Sequence, residues 1–461
     1  MTIVTDSDSS QHGHGLAVIV LAAGQGTRMK SRRAKVLHDL CGQPMLAHVL
    51  ESAESLGPER LIVVVGRDAE LVQERFQARA EFVLQTEQRG TGHAVLEAMP
   101  ALEGFAGDVL ILYGDTPLLR SQTLEQLCVF KQQTDAALVV LSALLPLPGR
   151  VVRGAAGRVE RIVEVTDATP EELEIEEGNT GVYRMGVELL REGLAGLDDR
   201  NEQGELYITD VVGFAVKNGH AVEALCLEDP DECLGINTRA ELARGAAVLQ
   251  QRIHARWMAE GVTIVDPEHT YIDCQVEIGP DTLIEPGCVI QGESVLGAGV
   301  HVKPHCMIES SRIDDDSVIG PSAHLRPGTH LMQGVRVGNF VEIKNSTLGP
   351  GVKADHLSYI GDADVEAGSS FGCGSITVNY DGIAKHRTTV GKNVFIGCNA
   401  NLIAPVVLAD ESFVAAGSTV TRDVPEGALT VARARQHDVE GWTARRSRRQ
   451  QKPSPKSETE K

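Results

Sequence analysis

Between residues 272 and 420 of this 461-residue chain, an aliphatic side chain keeps returning at every sixth position. Ile272, Ile278, Ile284, Ile290, Leu296, Val302 and Ile308 hold that spacing without a slip. After one short step it resumes at Ile313, Ile319, Leu325, Leu331, Val337 and Ile343, and a third block runs Val390, Ile396, Leu402, Leu408, Val414 and Val420. An α-helix repeats near 3.6 residues and a half-buried strand at two, so neither produces a period of six. Hexapeptide repeats do. Each unit is a short strand and a tight corner, and stacked coils align their aliphatic side chains in columns. The rhythm is disturbed between Asn345 and Arg387, and an interrupted solenoid invites a functional reading.

A chain of this length exceeds one ordinary core, so two or more domains are expected. The reading divides it into a disordered lead (residues 1–14), an α/β domain (15–237), a linker helix (238–261), the repeat domain (262–431) and a tail (432–461). The tail is basic and expected to be unstructured from Ala444 onward. A formal charge of −21 argues against nucleic-acid binding, which needs a basic face. A few local Arg and Lys residues can still hold a small anionic substrate. The nine cysteines are scattered, without CxxC or zinc-ligand spacing, as expected of reduced thiols in a cytosolic protein. No apolar run reaches the length of a membrane span and the first residues lack a secretory signal, so a soluble cytoplasmic protein is expected.

Residues 16–21 (LAVIVL), 61–65, 109–112 and 137–141 are short, continuously apolar runs, the pattern of strands buried on both faces. Helical patterns at 43–56 and 121–131 lie between them. This alternation predicts a Rossmann-like α/β domain with a mostly parallel sheet and ligands at the carboxyl ends of its strands. Directly after the first run comes Leu21-Ala22-Ala23-Gly24-Gln-Gly-Thr-Arg28, followed by Lys35. Glycines there let backbone amides approach phosphate oxygens, and Arg28 and Lys35 add positive charge. The spacing is neither G-x-G-x-x-G nor a P-loop. A second glycine-rich turn, Gln85 to Gly90, Thr91 and His93, suits an approaching base. Tyr113-Gly114-Asp115 closes the run at 109–112, and a carboxylate at a strand end can hold Mg²⁺ or simply cap a turn.

Polar residues concentrate around the disturbed part of the repeat: Arg326, Lys344, His356-Leu-Ser-Tyr359 and Asn379-Tyr380-Asp-Gly. A histidine titrating near neutrality is a natural general base for an attacking amine. Taken alone, His356 reads equally as a solvated surface histidine, and the Asn379 segment as a turn at the base of an extruded loop.

The segments LAAGQGTRM, KVLH, QRGTGHA, YGD, GNTG (178–181) and Gly235-Ile-Asn237-Thr resemble the nucleotidyltransferases that make sugar nucleotides. Joined to the hexapeptide repeat, the chain from Leu16 to Trp442 resembles the bifunctional bacterial N-acetylglucosamine-1-phosphate uridylyltransferase / glucosamine-1-phosphate N-acetyltransferase family. The resemblance implies that Leu21, Ala22, Ala23, Gly24, Lys35, Gln85, Gly90 and Thr91 hold UTP. It implies that Tyr113, Gly114, Asp115, Gly149, Glu164, Asn179 and Asn237 surround the sugar phosphate. Asp115 and Asn237 would ligate one Mg²⁺, while Arg28 and Lys35 neutralise developing charge. His356 inherits the role of acetyl-transfer base. Arg326, Lys344, Tyr359, Asn379 and Tyr380 match positions that bind glucosamine 1-phosphate or neighbour acetyl-CoA, and Ser370, Cys373, Cys398, Ala416 and Arg433 match acetyl-CoA contacts. The family also implies a left-handed β-helix and a homotrimer with acetyl sites at subunit junctions.

The sequence departs from the family in places. The segment Leu145-Pro-Leu-Pro-Gly149 is shorter than its counterpart, and Ser370, Cys373 and Cys398 stand where Asn, Ala and Ser are usual. Cys398 also admits a covalent-thiol reading, although direct transfer from thioester to amine fits the family better. Two other functions compete. One is a single-activity nucleotidyltransferase whose solenoid serves assembly; His356, Tyr359 and Asn379 speak against it. The other is a purely structural solenoid, against which Gly24, Lys35 and Asp115 speak.

Overall fold

Continuous apolar runs become strands because only a sheet covered on both faces can hide such a segment. The structure, a computed structural model, describes residues 15–450, so the expected unstructured lead and the last part of the tail lie outside it. Contacts divide the chain into two units. One runs up to Ala259 and includes Tyr271–Val276; the other takes Glu260–Thr270 and everything from Glu277 onward.

The first unit is built on one sheet. Its main path runs Val222–Cys226, Leu138–Leu144, Glu177–Gly186, Gly107–Tyr113, Gly15–Ala22, Arg60–Val65 and Glu81–Leu84. Glu177–Gly186 is antiparallel to both neighbours, and the other pairs on the path are parallel. A hairpin of Gly149–Arg153 and Val159–Glu164 extends from Glu177–Gly186. Chain order reverses between Gly15–Ala22 and Gly107–Tyr113, and a crevice opens at the carboxyl ends of strands at such a switch point. Ala17, Ile19 and Leu21 face one core and Leu16, Val18 and Val20 the other, as the period of two requires. The helix Arg239–Ala259 packs on this unit: Gln250 donates to Ile272 O (2.7 Å) and accepts from Ile272 N–H (3.0 Å), while Arg252 donates to Leu118 O.

In the second unit, two-to-four-residue strands fall into three all-parallel sheets, one per face of a solenoid. Every aliphatic of the six-residue pattern is buried, none more than 6% exposed. Each fully buried Ile, Leu or Val contributes about 2 kcal/mol. Inward hydroxyls close the corners by donating to backbone carbonyls of the next coil: Ser311 to Arg326 O, Ser346 to Ile360 O, Ser358 to Gly372 O and Ser375 to Gly397 O. These bonds satisfy buried polar groups that a bare corner would strand.

The disturbance of the repeat is narrower than the sequence pattern indicates. The column continues through Leu348, Ala354, Ile360, Val365, Phe371 and Thr377, all buried. Ala, Phe and Thr fill places that a count of aliphatics passes over. Five-residue steps lead from Ile308 to Ile313, Ile343 to Leu348 and Ile360 to Val365, and their corners are taken by Ser310, Asn345 and Asp362 with φ of 40°, 46° and 50°. Small polar residues tolerate that left-handed conformation, which tightens the corner by one residue. Only residues 379–387 leave the stack, as a loop closed by a bridge between Tyr380 and Lys385.

The end of the chain also differs from expectation. Trp442–Gln450 is helical where an unstructured end is predicted from Ala444, and the Ala, Arg and Gln in this segment favour helix. Among the described residues no helix is long and apolar enough to cross a membrane, and all nine cysteines are unpaired.

Candidate functional sites

At the switch point, register brings the first two motifs together. Leu21 pairs with Tyr113, and Gly114 N–H donates to Leu21 O at 2.9 Å, so the Leu21–Gly24 turn and Asp115 leave adjacent strand ends side by side. A cavity of about 240 Å³ opens there. Its lining includes Leu21, Ala22, Ala23, Gly24, Lys35, Gln85, Gly90, Thr91, Tyr113 and Asp115, all anticipated from the sequence, and Val36, Gln88, Ala94 and Glu205, which were not. Gln85 is buried and bonds Gly90 O (3.2 Å) and His93 Nδ1 (3.1 Å), which sets the second turn. Gly90 has φ +105° and a Cβ there would lie 2.5 Å from Leu206 O, so only glycine fits.

Lys35 is the pivot. Its Nζ sits 2.5 Å from Asp115 Oδ2 and 2.9 Å from Asn237 Oδ1, with all three groups largely shielded. Asn237 is brought in because Ile236 N–H donates to Asp115 O at 2.8 Å. Two hard oxygen donors thus converge on one positive group, the donor chemistry that suits Mg²⁺. No cluster of three or more His, Cys, Asp or Glu of metal-binding geometry occurs among the described residues. A cation here would therefore keep coordination positions for water and substrate phosphate.

A second cavity of about 490 Å³ shares Tyr113 and Asp115 with the first and adds Arg28, Asn179 and Asn237. Burial pushes the Tyr113 phenol up, so it stays neutral. Asn179 donates to Tyr183 Oη (2.6 Å) and accepts from Gly181 N–H (3.1 Å), which fixes its amide. Gly149 pairs with both Asn179 and Glu164, so the shortened segment before it still delivers it between those two residues. Glu164 itself lines a neighbouring cleft with Tyr207 and Thr209 rather than either of the two cavities. Burial raises the pKa of its carboxyl above the usual range, against a hydrogen bond from Thr209 at 3.3 Å.

In the solenoid the site follows from stacking. Asn339, His356, Cys373, Cys398 and Ala416 each stand two residues beyond a buried residue of one face: Val337, Ala354, Phe371, Ile396 and Val414. Those buried residues pair in register coil by coil, so the five form a column along one corner. His356 is exposed, and its Nδ1 lies 3.1 Å from Asn339 Oδ1. An amide oxygen only accepts, so this contact suits the tautomer with the hydrogen on Nδ1, which turns Nε2 away from Asn339. A cavity of about 270 Å³ beside it includes Lys303, Arg336, Gly338, Asn339 and Asp355. A Cβ at Gly338 would sit 1.7 Å from Asp355 O, so the corner closes only around glycine.

The adjacent face carries the anticipated cations. Arg326 pairs with Glu342 at 2.7 Å. Lys344 is held below the usual lysine range by its hydrogen-bonding neighbour Lys385 and then by Arg326, which outweigh the opposing pull of Asp362. Asp362 is buried and accepts from Asn345 and Asn379, each at 2.5 Å, and Asn379 also reaches Tyr359 Oη at 3.4 Å. In the extruded loop the Ala384 and Ile383 amides and His386 hold Asp381 well below the usual carboxylate range, and Tyr380 donates to Gly382 O at 2.7 Å. Cys373, Cys398 and Ala416 carry the corner column onward from His356. Ser370 pairs with Lys353 and Phe395 on the face behind the corner, and Arg433 stands beside Gly417 past the last strand.

Sequence reasoning missed Gln88, Glu241, Asn339, Asp362 and Lys385. Gln88 donates to Ala23 O at 2.6 Å and holds the first turn. Signals existed for two of them. Thr238-Arg-Ala-Glu241 has capping-box spacing, and Lys385 sits in the charged loop that leaves the repeat.

Comparison with known proteins agrees with this division. The family described as MobA-like NTP transferase domain matches residues 18–165. Bacterial transferase hexapeptide (six repeats) matches 275–310 and 387–422, either side of the short-stepped coils. These coils belong to the left-handed β-helix of hexapeptide proteins. The chain is 48% identical to the bifunctional protein GlmU of Pelobacter propionicus over 93% of this chain and 98% of the relative. It is 45% identical to that of Trichlorobacter lovleyi, over 92% and 97%, and 46% identical to that of a Geobacillus species, over 93% and 98%. With identity of this order along almost the whole length, the chain belongs to the bifunctional GlmU family, nucleotidyltransferases joined to a hexapeptide acetyltransferase.

Proposed function

We propose that His356 and the cations beside it acetylate glucosamine 1-phosphate with acetyl-CoA. The N-terminal unit then transfers UMP from UTP to the resulting N-acetylglucosamine 1-phosphate, giving UDP-N-acetylglucosamine and pyrophosphate. The hydrogen bond between Asn339 and His356 carries this reading, because a solenoid used only for assembly has no need of an oriented basic histidine on one corner. His356 Nε2 takes a proton from the sugar amine as its nitrogen attacks the thioester carbonyl, and coenzyme A leaves as the thiol. Arg326, Lys344 and Lys385 hold the phosphate, while Asn379, braced by Asp362, and Tyr359 orient the sugar. Acetyl-CoA lies along the corner column of Cys373, Cys398 and Ala416, near Ser370, Tyr380 and Arg433, with Cys398 as a contact and not a nucleophile.

In the first unit, a phosphate oxygen of the sugar phosphate attacks the α-phosphorus of UTP and pyrophosphate departs in line. The chain contributes position and charge: the Leu21–Gly24 turn, Gln85, Gly90 and Thr91 hold the nucleotide. Arg28 and Lys35 offset negative charge, and Asn179 faces the sugar, backed by Gly149, while Glu164 stays in the neighbouring cleft. Mg²⁺ held by Asp115 and Asn237 would supply charge neutralisation at the reacting phosphates. Omitting glucosamine 1-phosphate, acetyl-CoA, UTP and Mg²⁺ one at a time tests the whole scheme. Coenzyme A release is expected without UTP or Mg²⁺, and pyrophosphate release only with all four.

The acetyl site is read as completed by a neighbouring copy in a homotrimer. Phe395 and Phe413 stack 5.3 Å apart on the outside of one face, half exposed, with Leu429 continuing the apolar column. Assembly would cover such a stripe. Light scattering of the full chain should return a trimer. We place the reaction in the cytoplasm, the compartment that supplies nucleoside triphosphates and acetyl-CoA.

A further inference from the structure

The second oxygen donor of the nucleotide site, Asn237, comes from a segment just before the helix Arg239–Ala259 and not from a strand end. Its backbone is pinned from both sides. Ile236 N–H donates to Asp115 O at 2.8 Å, and Asn237 N–H donates to Glu241 Oε2 at 2.7 Å. The same oxygen accepts Thr238 N–H at 2.8 Å, while Glu241 N–H donates to Thr238 Oγ1 at 3.2 Å. A capping box needs only the last two bonds. The bond to Asn237 N–H is additional, and it ties the helix cap to the residue whose amide oxygen faces Asp115 and Lys35. The helix start cannot drift either. A Cβ on Gly245 would lie 2.7 Å from Ile236 Cδ1, and Arg239 bonds Met29 O and approaches His38 Nδ1. Glu241 lines the larger cavity together with Arg28, Asp115 and Asn237.

We infer that Glu241 is a positioning residue of the nucleotidyl-transfer site, holding the Asn237 backbone so that its amide oxygen converges with Asp115 on a divalent cation. This rests on the reading above that Asp115 and Asn237 hold the ion. Groups that orient a metal ligand cost roughly 10–100-fold in metal affinity when removed. Glu241→Ala in the full chain should therefore weaken Mn²⁺ binding, titrated with the metal alone by electron paramagnetic resonance, by about tenfold or more. The Mg²⁺ concentration needed for half-maximal pyrophosphate release should rise in parallel. Glu241→Gln keeps an acceptor oxygen and should recover most of the loss. Thr238→Ala weakens the cap but keeps both donors to Glu241, and should leave Mn²⁺ affinity near the parent value. Thermal unfolding of the full chain followed by circular dichroism serves as the folding control in every variant. Equal shifts in Thr238→Ala and Glu241→Ala, or none in Glu241→Ala, would reduce Glu241 to a helix cap and overturn the inference. Asp115→Asn separates the two levels of argument: unchanged Mn²⁺ affinity in that variant removes the ion from Asp115 and defeats the underlying reading.

Discussion

The two sites are assembled by opposite means. The nucleotide site joins Lys35 to Asn237, 202 positions away, because parallel crossovers bring distant segments to one edge of one sheet. The solenoid site joins residues one coil apart: Asn339 with His356, Asn345 with Asp362, and Asp362 with Asn379, each separated by 17 positions. In the first, geometry is a property of the whole sheet, and no single neighbour in sequence determines it. In the second, it is arithmetic on a stack, and whatever changes the residue count between coils changes what faces what.

Independence of the two sites is the first thing to break. Asp115→Ala should lower UTP-dependent pyrophosphate release by about a thousandfold, the scale of losing a preorganised charged group, with coenzyme A release unchanged. His356→Ala should do the reverse, lowering coenzyme A release by about a hundredfold or more at saturating substrates, the worth of a general base. A joint fall in either variant would end the comparison. Gly338→Ala probes the stacking arithmetic itself. The added methyl has no room against Asp355 O, so chemical denaturation should show about 1–3 kcal/mol lost from the solenoid, and coenzyme A release should fall with it. Lys385→Ala gives the smallest effect: without its like-charged neighbour, the Lys344 ammonium should titrate at higher pH, readable by NMR of labelled lysine. An unmoved Lys344 would take Lys385 out of the cluster.

Legibility in the sequence follows the same divide. The solenoid was readable where its interior is an unbroken run of Ile, Leu or Val at an even spacing, because burial repeats with the coil. The single short step at Ser310 could be read through, but the column was lost where Ala354, Phe371 and Thr377 take interior places and Asn345 and Asp362 shorten two corners in the same stretch. Four of the α/β strands stood out as apolar runs, whereas the antiparallel Glu177–Gly186, its hairpin and the edge strands Glu81–Leu84 and Val222–Cys226 did not. Most residues lining the first cavity were reached through resemblance to a family motif. What stayed hidden were the braces. Asn339 and Asp362 act through register one coil away, and Glu241 acts through a backbone amide. The register relation leaves no motif, and the capping-box spacing of Thr238 and Glu241 announces a helix start but not the extra bond to Asn237. The placement of Glu164 in a side cleft was hidden too, since it depends on how a hairpin folds over the sheet.

Coils that touch only their neighbours can open from the ends, one rung at a time, without the rest giving way. The strand bearing His356, Lys353–His356, lies sixth of the ten along its face, with five before it and four after. Fraying that starts at Leu429–Thr430 has to release Phe413–Val414, Phe395–Ile396 and Ser370–Phe371 before it reaches that strand. The rungs on either side act as sacrificial length. Placed mid-stack, His356 is thus insulated from the unzipping of its own scaffold, a protection that a residue at the rim of a single sheet does not have.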